Sequence, residues 1–92
     1  MAQLTQHAAV RMQQRGITST ALESLLDYGS VAYDHRGATI IYFDKKARTR
    51  LLKNGGRARY RVMEKKLNAY AVVGTDGAVV TVGHRDRRIS RG

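Results

Sequence analysis

The chain contains no cysteine, no proline and no tryptophan, and only one phenylalanine among its 92 residues. Without cysteine there is neither a disulfide framework nor a thiolate metal site, which suits a reducing cytosol. No proline-rich linker, repeat or low-complexity segment divides the chain, and at this length a single domain over 1–92 with a modest core is expected. The opening "MAQLTQ" has no basic stretch followed by an apolar run, which argues against a signal peptide. No apolar stretch approaches the roughly 20 residues that a helix needs to cross a bilayer. A soluble, cytoplasmic protein that does not meet a membrane is therefore expected.

Acidic residues are also scarce, seven against seventeen Lys and Arg, for a net charge of +10. The imbalance is local. From Met1 to His35, two arginines face three acids, a net of −1, whereas fifteen cations and four acids follow from Arg36 onward, a net of +11. Such an excess in a small domain favours a polyanionic partner, most often nucleic acid. Twelve arginines to five lysines fit phosphate recognition, because the guanidinium fork can bind two phosphate oxygens at once.

Capping residues and periodicity divide the chain. Thr5 as N-cap and Gly16 after the last turn bound a first helix over Gln6 to Arg15, with Leu4, Ala8 and Met12 on its apolar side. Thr20 with Glu23 reads as a capping box for a second helix, with Thr18 or Ser19 as alternative caps; Leu22, Leu25 and Leu26 form its face and Gly29 ends it. The period then changes. "SVAYDHRGATIIYF" reads as a hairpin turning at Arg36-Gly37, which would set Tyr33 opposite Ile40 and Val31 opposite Tyr42. Asp44 is the expected N-cap of "KKARTRLLKN", which stops at Gly55-Gly56. Tyr60, Met63 and Leu67 then mark a further helical stretch, so residues 45–66 hold one helix or two. Asp76-Gly77 turns a second hairpin, "NAYAVVGTDGAVVTVGH". The expected fold class is α+β: an N-terminal helical hairpin packed with a roughly four-stranded antiparallel sheet, in the order ααββ-α(α)-ββ.

His7, Arg11 and Arg15 recur every four residues and so stack on one face of the first helix. In "AVVTVGHR", regular alternation puts Val80, Val82 and His84 on one face of the last strand and Val79, Thr81 and Arg85 on the other. His84 would join Thr81 and Arg85 only if the strand bulged at Gly83.

"HAAVRMQQRGI", "IIYFDKKAR" and "YAVVGTDGAVVTVGHR" together resemble a family of small bacterial domains of unknown function, grouped with the barnase/EndoU/RelE-like RNase toxins. The resemblance covers about His7 to Arg88, and its most specific parts are His-xxx-Arg-Met-xx-Arg-Gly and Thr-Val-Gly-His-Arg. It implies a two-helix start on a four-stranded antiparallel sheet, metal-independent RNA cleavage or descent from it, and often a toxin–antitoxin gene pair. Matched by position, the family's functional candidates fall on His7, Arg11, Arg15, Thr81, His84 and Arg85. Asp86 departs from the family pattern, which has an uncharged or aromatic residue there.

The chemistry needs the same residue types. Metal-free RNA cleavage requires a proton acceptor for the 2′-hydroxyl, a donor for the departing 5′-oxygen and fixed positive charge for the phosphoryl group. Histidine suits proton transfer near neutral pH and arginine supplies the charge. The catalytic candidates are accordingly His7, His84, Arg11, Arg85 and Thr81. The helical stripe has plainer roles: His7 as a first-turn packing residue, Arg11 as a solvated helix residue, and Arg15 as a partner for the negative end of its helix. Tyr42 with Lys45 forms a second constellation, proton donor and phosphate anchor, beside the plainer reading of Tyr42 as a sheet aromatic. "KKARTR", "GGRARYR" and "RDRRISR" supply phosphate contacts through Lys45, Lys46, Arg48, Arg57, Arg59, Arg87 and Arg88, joined by Arg15. The segment 86–92 reads as a flexible basic tail, and His35 as a surface residue beside a turn. Three separated histidines without cysteine leave no metal site, and no cofactor motif is present.

The expectation is an RNA-binding, toxin-like endoribonuclease that works without metal. The alternatives are a non-catalytic nucleic-acid-binding module, or an interaction protein whose cations meet an acidic or helix-turn-helix antitoxin.

Overall fold

The computed structural model describes residues 3–34 and 36–85, so His35 and the expected 86–92 tail, with Arg87 and Arg88, lie outside the described residues. Helix α1 spans Gln6–Arg15. Thr5 Oγ1 accepts from the Ala8 N–H at 3.1 Å and donates to the Val80 carbonyl at 3.3 Å, so one hydroxyl both starts the helix and ties it to the sheet. Gly16 takes a left-handed conformation (φ 65°), and the Gly16 and Ile17 amides reach back to the Gln13 and Met12 carbonyls. That reversal buries Ile17 and leads directly into α2, Ser19–Tyr28.

The cap of α2 is Thr18, whose Oγ1 accepts from Ala21, and not Thr20. Starting at Ser19 adds two helical residues, Ser19 and Thr20, and still turns Ala21, Leu22 and Leu25 into the core.

Strands β1 (Ser30–Tyr33), β2 (Thr39–Tyr42), β3 (Ala69–Val73) and β4 (Val79–His84) form an antiparallel sheet in the order β1-β2-β3-β4. The first hairpin is one residue out from the expected register: Tyr33 pairs with Thr39 and Val31 with Ile41. The cause is a three-residue loop. The Asp34 N–H donates to the Ala38 carbonyl while the Asp34 carboxylate accepts from the Arg36 and Ala38 amides, and Gly37 sits at φ 85°. Asp76 and Gly77 repeat the pattern between Gly74 and Ala78.

Strand β4 carries a bulge: Val79 pairs with Val73 and Thr81 with Val72, leaving Val80 as the extra residue. Val79 therefore joins Val82 in the core and not Thr81 on the opposite face. Gln3, Leu4 and Thr5 run parallel to β4 along its outer edge.

Between the hairpins, Asp44 caps α3 (Lys45–Arg50) by accepting from Ala47 at 2.8 Å. The chain continues through a π-helical turn, Leu51–Gly55, into α4 (Gly56–Met63) and a short 3₁₀ turn, Glu64–Lys66. Two α-helices thus occupy the segment read as one or two. The core lies on one side of the sheet, where α2 crosses β2 and β3. Phe43, Leu22, Leu25, Leu51, Met63, Val79 and Val82 fill it.

Candidate nucleic-acid interface

Alternation along the strands decides which side chains the helices leave uncovered. Ile41, Ala69, Ala71, Val73, Val79 and Val82 point into the core or pack against it. The opposite phase forms two rows across the four strands: Ser30, Tyr42, Tyr70 and Gly83, then Ala32, Ile40, Val72 and Thr81. None of these eight belongs to the core cluster. Arg85, two residues beyond Gly83, extends the ladder by donating its N–H to the Asn68 carbonyl at 2.9 Å.

Tyr42 is nevertheless only 5% exposed. The Arg85 guanidinium covers it, with Cζ 5.3 Å from the ring centroid. Arg85 Nη2 donates to the Phe43 carbonyl at 2.6 Å, and Arg85 Nε is buried without a hydrogen-bond partner. The cation is thus half-buried and held in place by an aromatic ring and one carbonyl. Such a group is pre-organised for an anion, because its charge is not neutralised by the carbonyl and its reorganisation on binding is small.

His84 faces the other way. It pairs with the core residue Ala69, and its Nε2 lies 2.9 Å from the Arg15 carbonyl while Nδ1 lies 3.0 Å from Asn68 Oδ1. A carbonyl only accepts, so Nε2 is the donor. The Nε2 bond fixes the C-terminal end of α1 to the sheet, and Nδ1 faces the side-chain amide of Asn68 just before β3. Lys66 Nζ lies close to Gly16 at the same end, so a positive group stands where the helix is negative.

The expected constellation is therefore divided. Thr81, Arg85 and Tyr42 share the sheet face that the described helices leave uncovered, called the bare face below. His84 sits at one end of α1 and His7, exposed, in the first turn at the other, about 12 Å away along the helix axis. The structure does not bring the two histidines together. The spacing between Gly83 and His84 stays regular because the bulge falls at Val80. Of the helical stripe, Arg11 is half-buried with its Nε buried and unpartnered, whereas Arg15 exposes its side chain.

Lys45, Lys46, Arg48 and Arg57 are exposed on α3 and α4. Arg59 is already engaged, 3.7 Å from the Asp27 carboxylate and 5.8 Å from the centre of the Tyr28 ring.

Two members of the bare face were not singled out by sequence. Tyr70 stands beside Tyr42 in the central row, and the small inward residues Ala69 and Ala71 on either side of it are the signal that it points outward. Arg50 donates to the Tyr28 carbonyl and to Ser30 Oγ, which in turn donates to Asp44 Oδ1 at 2.7 Å. The row therefore has an arginine at its β1 end as well as one beyond its β4 end. Among the described residues there is no group of three His, Cys, Asp or Glu placed to hold a metal ion, and no helix long and apolar enough to cross a membrane.

Fold and face together define a small α+β domain with helices on one side of an antiparallel sheet and an arginine–tyrosine surface on the other. The chain belongs to the family described as Domain of unknown function (DUF4258), which matches residues 4–84. No curated protein and no solved structure matches it.

Proposed function

We propose that this domain binds single-stranded RNA on the bare face of its sheet, with Arg85 as the phosphate anchor and Tyr42 as its support. The observation that carries this reading is the half-buried Arg85 guanidinium, stacked on Tyr42 and bonded to the Phe43 carbonyl, in a chain of net charge +10. A cation partly removed from water, with no anionic partner among the described residues, is a ready partner for a phosphate. Exposed Lys45, Lys46, Arg48 and Arg57 add long-range attraction without sequence preference.

Metal-independent cleavage on the same face is the second reading, and the co-facial Thr81, Arg85, Tyr42 and Tyr70 favour it. In that reaction the 2′-oxygen loses its proton and bonds to phosphorus, and the 5′-oxygen leaves with a proton. Arg85 stabilises the charge on the phosphoryl oxygens. The protein would then act as a toxin-like endoribonuclease in the cytoplasm, paired with an acidic or helix-turn-helix antitoxin.

The test is incubation of the purified chain, and of Arg85→Ala, with total bacterial RNA in the presence of chelator. Cleavage by the parent that Arg85→Ala loses supports the nuclease reading. Arg85-dependent binding without products makes the domain a binding module. Failure to bind RNA at about 0.15 M salt, with stoichiometric capture of an acidic protein, replaces both with an interaction role.

A further inference from the structure

The two tyrosines of the central row are used differently. Tyr42 is covered by Arg85, whereas Tyr70 leans across onto β4. A β-carbon at Gly83 would lie 3.1 Å from Tyr70 Cε1 and Oη and 3.2 Å from Cζ. Gly83 is not among the glycines with positive φ, so its backbone does not call for glycine. What calls for glycine is room for the ring. Gly83 is itself buried, although it lies on the face that the helices leave bare, because Tyr70 covers it. The phenol end of the half-buried ring lies against Gly83.

The neighbours of this seat are specific. Thr81 and Arg85 flank Gly83 on the same face of β4, each about 7 Å along the strand. Thr81 offers a hydroxyl and Arg85 the anchored cation described above, with its Nε unpartnered. An aromatic surface beside a fixed positive charge fits a ligand that joins a flat ring to an anion, which describes a nucleotide more closely than an apolar ligand or a free phosphate.

We infer that the Tyr70 ring, seated on Gly83, is a stacking platform for one unpaired RNA base whose phosphate lies on Arg85. The inference rests on the RNA-binding reading above and adds the base subsite to it. Stacking of this kind is tolerant of base identity, so the platform would contribute affinity and register without strong sequence preference.

The experiment is a fluorescence-anisotropy titration of the full chain with a short oligouridine, and with the same oligonucleotide carrying one abasic position at each site in turn. Tyr70→Leu should weaken oligouridine binding about tenfold, while Tyr70→Phe keeps the ring and stays within about twofold of the parent. Gly83→Ala should weaken binding to a similar extent by displacing the ring, and adding Tyr70→Leu to it should cost little more. The parent should lose affinity for at least one abasic oligonucleotide, and Tyr70→Leu should no longer distinguish it from the intact one. That comparison is made within each variant, so a partly destabilised protein does not mimic it. If the parent binds oligouridine but discriminates against no abasic position, or Tyr70→Leu binds as the parent does, the platform is refuted and RNA binding stands. If Gly83→Ala binds as the parent does, the glycine seat is refuted. If the parent binds no oligouridine, the RNA reading itself fails.

Discussion

His84 and Arg85 are consecutive residues that serve opposite sides of the sheet. The His84 ring holds the Arg15 carbonyl at the end of α1, and the Arg85 guanidinium lies across Tyr42 on the face that none of the described helices covers. The pleat alone separates them, and with them it separates a structural role from a binding role.

Replacing His84 by alanine removes the hydrogen bond to the Arg15 carbonyl, which fixes α1 to the sheet, and the one to the Asn68 side chain. A loss of about 2 kcal/mol is expected at about 1 kcal/mol per bond, which for a domain of this size lowers Tm by roughly 10 °C. Thermal denaturation followed by circular dichroism measures it. RNA affinity below the transition should change less than about twofold, since a residue off the bare face has no phosphate to contact.

His7→Ala should leave stability within about 0.5 kcal/mol of the parent, because the side chain is exposed and has no hydrogen-bond partner among the described residues. If the domain cleaves RNA, turnover by His7→Ala should also persist. Abolished turnover with an unchanged Tm would return His7 to the site.

Thr5→Ala removes the cap of α1 and the tie to Val80 together. A cost of about 1–2 kcal/mol is expected, with Thr5→Ser retaining most of it. Urea denaturation checks the difference.

The salt dependence of RNA binding reports the number of phosphates engaged. Arg85→Ala should reduce the slope of log K against log salt by about one, whereas Tyr70→Phe should leave it unchanged.

Local chemistry made much of the fold legible. Thr5, Gly16 and Asp44 act within one helical turn, so their caps are readable without tertiary knowledge. The helical pair and the two hairpins followed from the change of period and from Gly37 and Gly77. Register was not legible, because the Asp34 carboxylate bonds two loop amides and stabilises a three-residue turn where Arg36-Gly37 by composition suits a two-residue one. The bulge at Val80 was invisible for a similar reason: nothing in "GAVVTVGH" marks which valine is extra until β3 is set beside it. At the site, the alternation that puts Thr81 with Arg85 was readable. The attachment of His84 to Arg15 was not, since it joins residues 69 positions apart through the packing of α1 on β4. The outward direction of Tyr70 was readable from Ala69 and Ala71 on either side of it, whereas its close approach to Gly83 across the strand pair was not.

The most direct test is the affinity of the parent, Arg85→Ala and Arg61→Ala for a short oligouridine at about 0.15 M salt, with Tm recorded for each. Arg61 is exposed on α4 and carries the same charge, so its loss serves as the measure of general attraction. Arg85→Ala is expected to bind at least about tenfold more weakly and Arg61→Ala within about twofold of the parent. Equal losses in the two variants, or no binding by the parent, would contradict a phosphate anchor on the bare face of the sheet.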